Sequence, residues 1–162
     1  MAEVDNKNYI SIMIQSLKKK ITILNAIEKL NLRQKDELED PALDPEDFDK
    51  TVREKADYIE ELEKLDAGFQ ELFDRVKEEL GVNREFYREE IKQMQDLIRQ
   101  LTEKSTAIQV QEARNKRLME QKFAAVKKQV REVRTSQKIV NQYYKNMMKT
   151  NFIEPQFTDS KK

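Results

Sequence analysis

The sequence predicts an all-α fold, an antiparallel up-down-up bundle of three long helices. The third helix is expected to be about twice as long as the others and to extend past the bundle. Three observations carry this expectation. Only 2 glycines and 3 prolines occur among 162 residues, and 38% of the residues are charged, the composition of long helices. Apolar residues recur at three-and-four spacing, which lines one face of a helix and argues against a disordered polar chain. The strongest interruptions ahead of the last twelve residues are Asp40–Pro45 and Gly81–Asn83.

The first helix is expected from about residue 7 to 38, after a frayed end at Met1–Asn6. Ile10, Ile14, Leu17, Ile21, Leu24 and Ile27 form its stripe. Ile12, Met13 and Ile23 lie off that stripe and predict contact with a second neighbour. Lys18, Lys19 and Lys20 read as a solvated face with snorkelling stems.

The second helix is expected over about 45–80. Asp44 is placed to cap it, Pro45 suits its first position, and Glu46 and Asp47 complement the dipole in its first turn. Its seam reads Val52, Lys55, Ile59, Leu62, Asp66, Phe69, Phe73, Val76, Leu80, a heptad-like spacing that favours shallow-angle packing. Gly68 in mid-helix costs about 1 kcal/mol against alanine, so a close helix approach or slight bend is expected there. Gly81 suits a left-handed C-cap, and Asn83 is placed to cap the next helix.

The third helix is expected over about 84–148, a stretch with neither glycine nor proline. At 1.5 Å per residue it would be on the order of 95 Å long. Its first half completes the bundle, leaving the half from about Leu118 uncovered. Residues 1–150 are thus read as a single helical domain, and 151–162 as a flexible tail in which Phe152, Ile153 and Phe157 are apolar enough to dock.

Two residues in the seams are out of place chemically. Counting outward from the turns puts Lys55 near the level of Glu112, with Asn31 and Asn115 close by. Buried charges need partners, so Lys55 and Glu112 are expected to pair at one end of the bundle, as a register-setting ion pair rather than a catalytic site.

The chain has no histidine and no cysteine. Thiolate chemistry, disulfides and the commonest acid–base and metal-ligand groups are therefore excluded. With no Gly-rich phosphate loop and no metal-ligand cluster either, an enzyme is not expected, nor is a cofactor. No apolar run reaches membrane-spanning length, and the N-terminus lacks a signal-peptide pattern, so a soluble intracellular protein is expected.

Net charge is zero, with 31 basic and 31 acidic residues, but it is unevenly spread. Asp36–Leu80 is strongly acidic, whereas Arg114–Lys149 is strongly basic, with only Glu120 and Glu132 as counter-charges. That basic half carries an apolar stripe of Leu118, Met119, Phe123, Val126, Val130, Val133, Val140, Tyr143, Tyr144 and Met147.

Nucleic-acid binding is disfavoured because overall charge is zero and no reading motif is present. Membrane-surface binding lacks a lipidation signal. Protein binding remains, since an apolar face of this length should be covered by a second copy of the chain, a fold-back or an amphipathic client helix.

Three stretches then resemble a known family. They are Glu54-Lys55 followed by Ile59, Leu62, Leu65-Asp66 and Gly68-Phe69; Ile108-Gln109 leading into Glu112-Ala113-Arg114-Asn115-Lys116; and Tyr143-Tyr144-Lys145-Asn146-Met147. Over about Tyr9 to Met147 the chain resembles flagellar export chaperones of the FlgN type, in a divergent, clostridia-like form. The resemblance implies a cytoplasmic, non-catalytic chaperone. It implies that hook–filament junction proteins are bound through their C-terminal helical segments, held from premature assembly and delivered to the flagellar type III export apparatus. It also implies client binding in the C-terminal helical region, the apolar stripe just named. The alternative is a structural coiled-coil adaptor that homodimerises through its long C-terminal helix.

Overall fold

The computed structural model describes residues 2–124, 134–135 and 137–147. Among them are four helical segments and no strand: α1 (Ala2–Glu39), α2 (Pro45–Val82), α3 (Arg88–Lys122) and a short α4 spanning 137–147. The helix α1 is central and packs against both α2 and α3. Met13 and Ile23, off its main stripe, are buried accordingly, whereas Ile12 is exposed.

Asp44 caps α2 from an extended backbone (φ −82°, ψ 122°), its carboxylate accepting the Glu46 N–H at 3.0 Å. The next turn differs from the sequence reading. Neither glycine has positive φ. Gly81 lies within α2, and Asn83 is its C-cap, donating its backbone N–H to the Glu79 carbonyl at 2.9 Å. Tyr87 is the N-cap of α3 and makes no side-chain capping bond. Its ring is fully buried and meets Phe86 edge-on at 4.9 Å, so an aromatic plug replaces a polar cap.

At Gly68 the expected close helix approach is absent. A β-carbon there would meet nothing within 4 Å, so no neighbouring helix approaches its backbone.

The largest correction concerns the third helix. It does not run to residue 148 or extend past the bundle. It ends at Lys122, where Phe123 is the C-cap (φ −104°, ψ 19°) and donates to the Met119 carbonyl at 2.9 Å. The α4 segment then returns antiparallel to α3. Arg134 pairs with Glu120 at 3.5 Å, and Met147 sulfur lies 3.8 Å from Ser105 Oγ.

The physical reason is burial. Absence of glycine and proline permits a long helix but does not compel one. Val140, Tyr143, Tyr144 and Met147 are all buried in the main core. Burying each such side chain is worth roughly 1.5–3 kcal/mol. Each helical hydrogen bond given up at the break costs only about 1 kcal/mol net.

The interior is layered along the bundle axis. The main apolar cluster draws on all four helices, from Ile10 to Ile27 on α1, Ile59 to Leu80 on α2 and Ile91 to Ile108 on α3, with the α4 residues. A second cluster, Leu38, Phe48, Val52, Met119 and Phe123, closes the opposite end. Between the two lies a polar layer.

Candidate functional site

The polar layer is built from two residues each of α1, α2 and α3. Lys55 and Glu112 are fully buried, and Lys55 Nζ lies 2.7 Å from Glu112 Oε1 and donates to Oε2 at 2.9 Å. It also donates to Asn31 Oδ1 and Gln34 Oε1, each at 2.9 Å. Asn115 Nδ2 donates to the Asn31 carbonyl at 2.8 Å, and Gln34 Nε2 donates to Thr51 Oγ1 at 3.2 Å. Three ammonium donors thus meet three acceptors, the condition under which a buried cation is tolerated. Burial pushes the Lys55 ammonium below its usual range, and the Glu112 carboxylate pulls it back. These bonds tie α1, α2 and α3 to one another at the level of Lys55.

The apolar stripe is distributed differently from its sequence reading as an uncovered face. Leu118 is half-buried against the second cluster, and Met119 and Phe123 belong to it, with the Phe123 ring centroid 6.0 Å from that of Phe48. Val126, Val130 and Val133 lie outside the described residues. Val140, Tyr143, Tyr144 and Met147 form the inner face of α4, which bridges α2 and α3. Their i, i+3, i+4, i+7 spacing is that of an amphipathic helix laid into a groove.

One polar contact fixes the height of α4. The Tyr143 hydroxyl donates to Asp66 Oδ2 at 2.9 Å. The other carboxylate oxygen, Oδ1, pairs with the buried Lys20 ammonium of α1. Lys18 and Lys19 are exposed as expected, but Lys20 is not solvated: it needs Asp66 as counter-ion. Burial, then Asp66, raises the Tyr143 hydroxyl well above the usual phenol range, and burial raises Tyr144 likewise.

The fit of α4 is incomplete elsewhere. Tyr144 is fully buried, and its hydroxyl has no hydrogen-bond partner among the described residues. Gln137 Oε1 is also buried without one. A cavity of about 210 Å³ separates α4 from α2, lined by Val52, Ala56, Ile59, Glu60, Glu63, Ile139 and Val140.

Sequence reasoning missed the roles of Lys20, Ser105 and Gln137. Ser105 could have been found, because it falls on the α3 stripe between Leu101 and Ile108. Lys20 could have been found as well, because Asp66 on the α2 seam lies at a matching distance from the Asp40–Pro45 turn.

No curated protein and no solved structure matches this chain. The family model described as FlgN protein matches residues 1–151. That span takes in all four helical segments and the polar layer, and the chain belongs to the FlgN family of flagellar chaperones.

Proposed function

We propose that this protein is a cytoplasmic export chaperone for flagellar hook–filament junction proteins. It binds their C-terminal helical segments, holds them from premature assembly and delivers them to the flagellar type III export apparatus. Family membership supports the chaperone role. The observation that carries the helical mode of capture is α4 itself, a short amphipathic helix seated between α2 and α3. A groove that holds one such helix has the width, apolar lining and polar marks to hold another.

On this reading the client surface is exposed when α4 lifts. Val140, Tyr143, Tyr144 and Met147 then leave the core together with the groove they fill. Leu118, Met119 and Phe123 continue the stripe into the second cluster, and Val126, Val130 and Val133 complete it in sequence. The basic surface of the C-terminal half orients acidic client residues.

The test is size-exclusion chromatography with light scattering on the protein alone and mixed with a purified junction protein. A discrete complex, lost when the client's C-terminal segment is deleted, is the expected result. No complex, with a stable elongated dimer of the protein alone, would favour the structural adaptor instead.

A further inference from the structure

The contacts of α4 divide into one that is well made and one that is poorly made, on adjacent residues. At Tyr143 the hydroxyl completes a half-buried acceptor: Asp66 Oδ1 is taken by Lys20, and Oδ2 is left for a donor from the groove's occupant. At Tyr144 the hydroxyl is carried into the core and has no hydrogen-bond partner among the described residues. A buried hydroxyl without a partner weakens the occupant that brings it by a factor of about ten. The gap of about 210 Å³ against Val52, Ala56 and Ile59, with Ile139 59% exposed at its edge, leaves further contact unmade.

We infer that the groove between α2 and α3 is an exchange site. There α4 is displaced by an amphipathic helix of an export substrate carrying a hydrogen-bond donor at the Tyr143 position and a residue without a hydroxyl at the Tyr144 position. The inference rests on the chaperone reading and names the chemistry of its partner. The donor is a tyrosine or a cationic side chain, because the acceptor it meets is the Asp66 carboxylate. The neighbouring residue is phenylalanine or leucine, which fills the Tyr144 space without an unpaired oxygen. The groove is therefore closed to loosely matched helices and open to a better one. The apparent affinity of a visitor is its intrinsic affinity reduced by the fraction of chains whose α4 is lifted.

The experiment uses the full-length chain and fluorescein-labelled synthetic peptides of residues 134–147, read by fluorescence anisotropy. The peptide carrying Tyr144→Phe is expected to bind about tenfold more tightly than the unaltered peptide. Adding Tyr143→Phe to it removes the donor and is expected to lose about that much again. A full-length chain carrying Tyr144→Phe holds its own α4 more firmly and is expected to bind every peptide about tenfold more weakly. Equal binding of the unaltered and Tyr144→Phe peptides would overturn the inference, as would unchanged binding by the Tyr144→Phe chain. Absence of peptide binding even to a Val140→Asp, Met147→Asp chain that keeps its helical circular dichroism would also overturn it. No client is used here, so a junction protein that coelutes with the chaperone while all peptides fail sinks the exchange site alone.

Discussion

At Lys55 a single side chain joins three helices, and its bonds explain why a cation lies in an apolar seam. Removing only the lysine leaves the Glu112 carboxylate buried with its counter-ion gone. Lys55→Met is expected to cost about 3–5 kcal/mol, seen as a lower midpoint in thermal or urea unfolding. Lys55→Met with Glu112→Leu removes both charges and should recover most of that loss. A double variant as unstable as the single one would show that the neighbouring amides, not the charge pair, set the cost. Gly68 gives the opposite case. It is exposed in mid-helix with free space where a β-carbon would sit. Gly68→Ala should therefore stabilise the protein by about 1 kcal/mol, through helix propensity alone. A loss of stability there would mean that the helix needs the glycine. The pairing of Lys55 with Glu112 was legible because both are charged residues on apolar stripes at matching distances from a turn. The freedom around Gly68 was not, since spacing along one helix says nothing about how near its neighbour comes.

The helices themselves show what periodicity reports and what it leaves open. Helix α1 begins at Ala2 and not near residue 7, so the expected frayed end is helical from its second residue. The end of α1 and the start of α2 follow from proline and the acidic cap Asp44, both local signals. The end of α3 at Lys122 has none: the C-cap is a phenylalanine, and apolar spacing continues beyond it. A stripe looks the same whether it faces outward on a long rod or folds back onto its own bundle. The choice is made by tertiary burial, here the space between α2 and α3 that α4 fills. Its consequence can be tested with Val140→Asp and Met147→Asp together, which place two carboxylates on the inner face of α4. The amides of 137–147 should then exchange with solvent much faster, while those of α1–α3 stay protected. If the groove receives the client, junction-protein binding is kept or tightened. Should binding be lost while the bundle stays folded, the client-binding element is the inner face of α4 itself.

At the scale of the whole molecule, α4 is held over a core whose buried phenols answer to pH, and the sign can be worked out. Tyr143 is buried against Asp66, and the charges of Glu63 and Tyr144 act on it as well; those of Glu112 on α3 and Glu28 on α1 act on Tyr144. Each is raised by burial first and by these groups after it, from an unperturbed value of 10.0. Below that value both states keep the phenol proton, and the full contribution of the buried tyrosines is present. Above it the unfolded chain, or a chain with α4 lifted, releases protons that the closed state retains. The closed state then binds more protons than the open one, and its stability falls as pH rises. Lifting of α4 is therefore expected in the alkaline range, with tyrosinate absorbance and faster amide exchange over 137–147 appearing together. Tyr144→Phe removes one of the two releasable protons and should make the transition shallower. It also removes an unpaired hydroxyl, so the same variant should be more stable near neutral pH. If the part of the tyrosinate absorbance that a Tyr143→Phe, Tyr144→Phe chain lacks rose near pH 10 without any opening of 137–147, these phenols would already be in contact with water in the closed chain. The sequence could supply the adjacent tyrosines and their place on the stripe, but only the fold brings Asp66 and Glu112 against them.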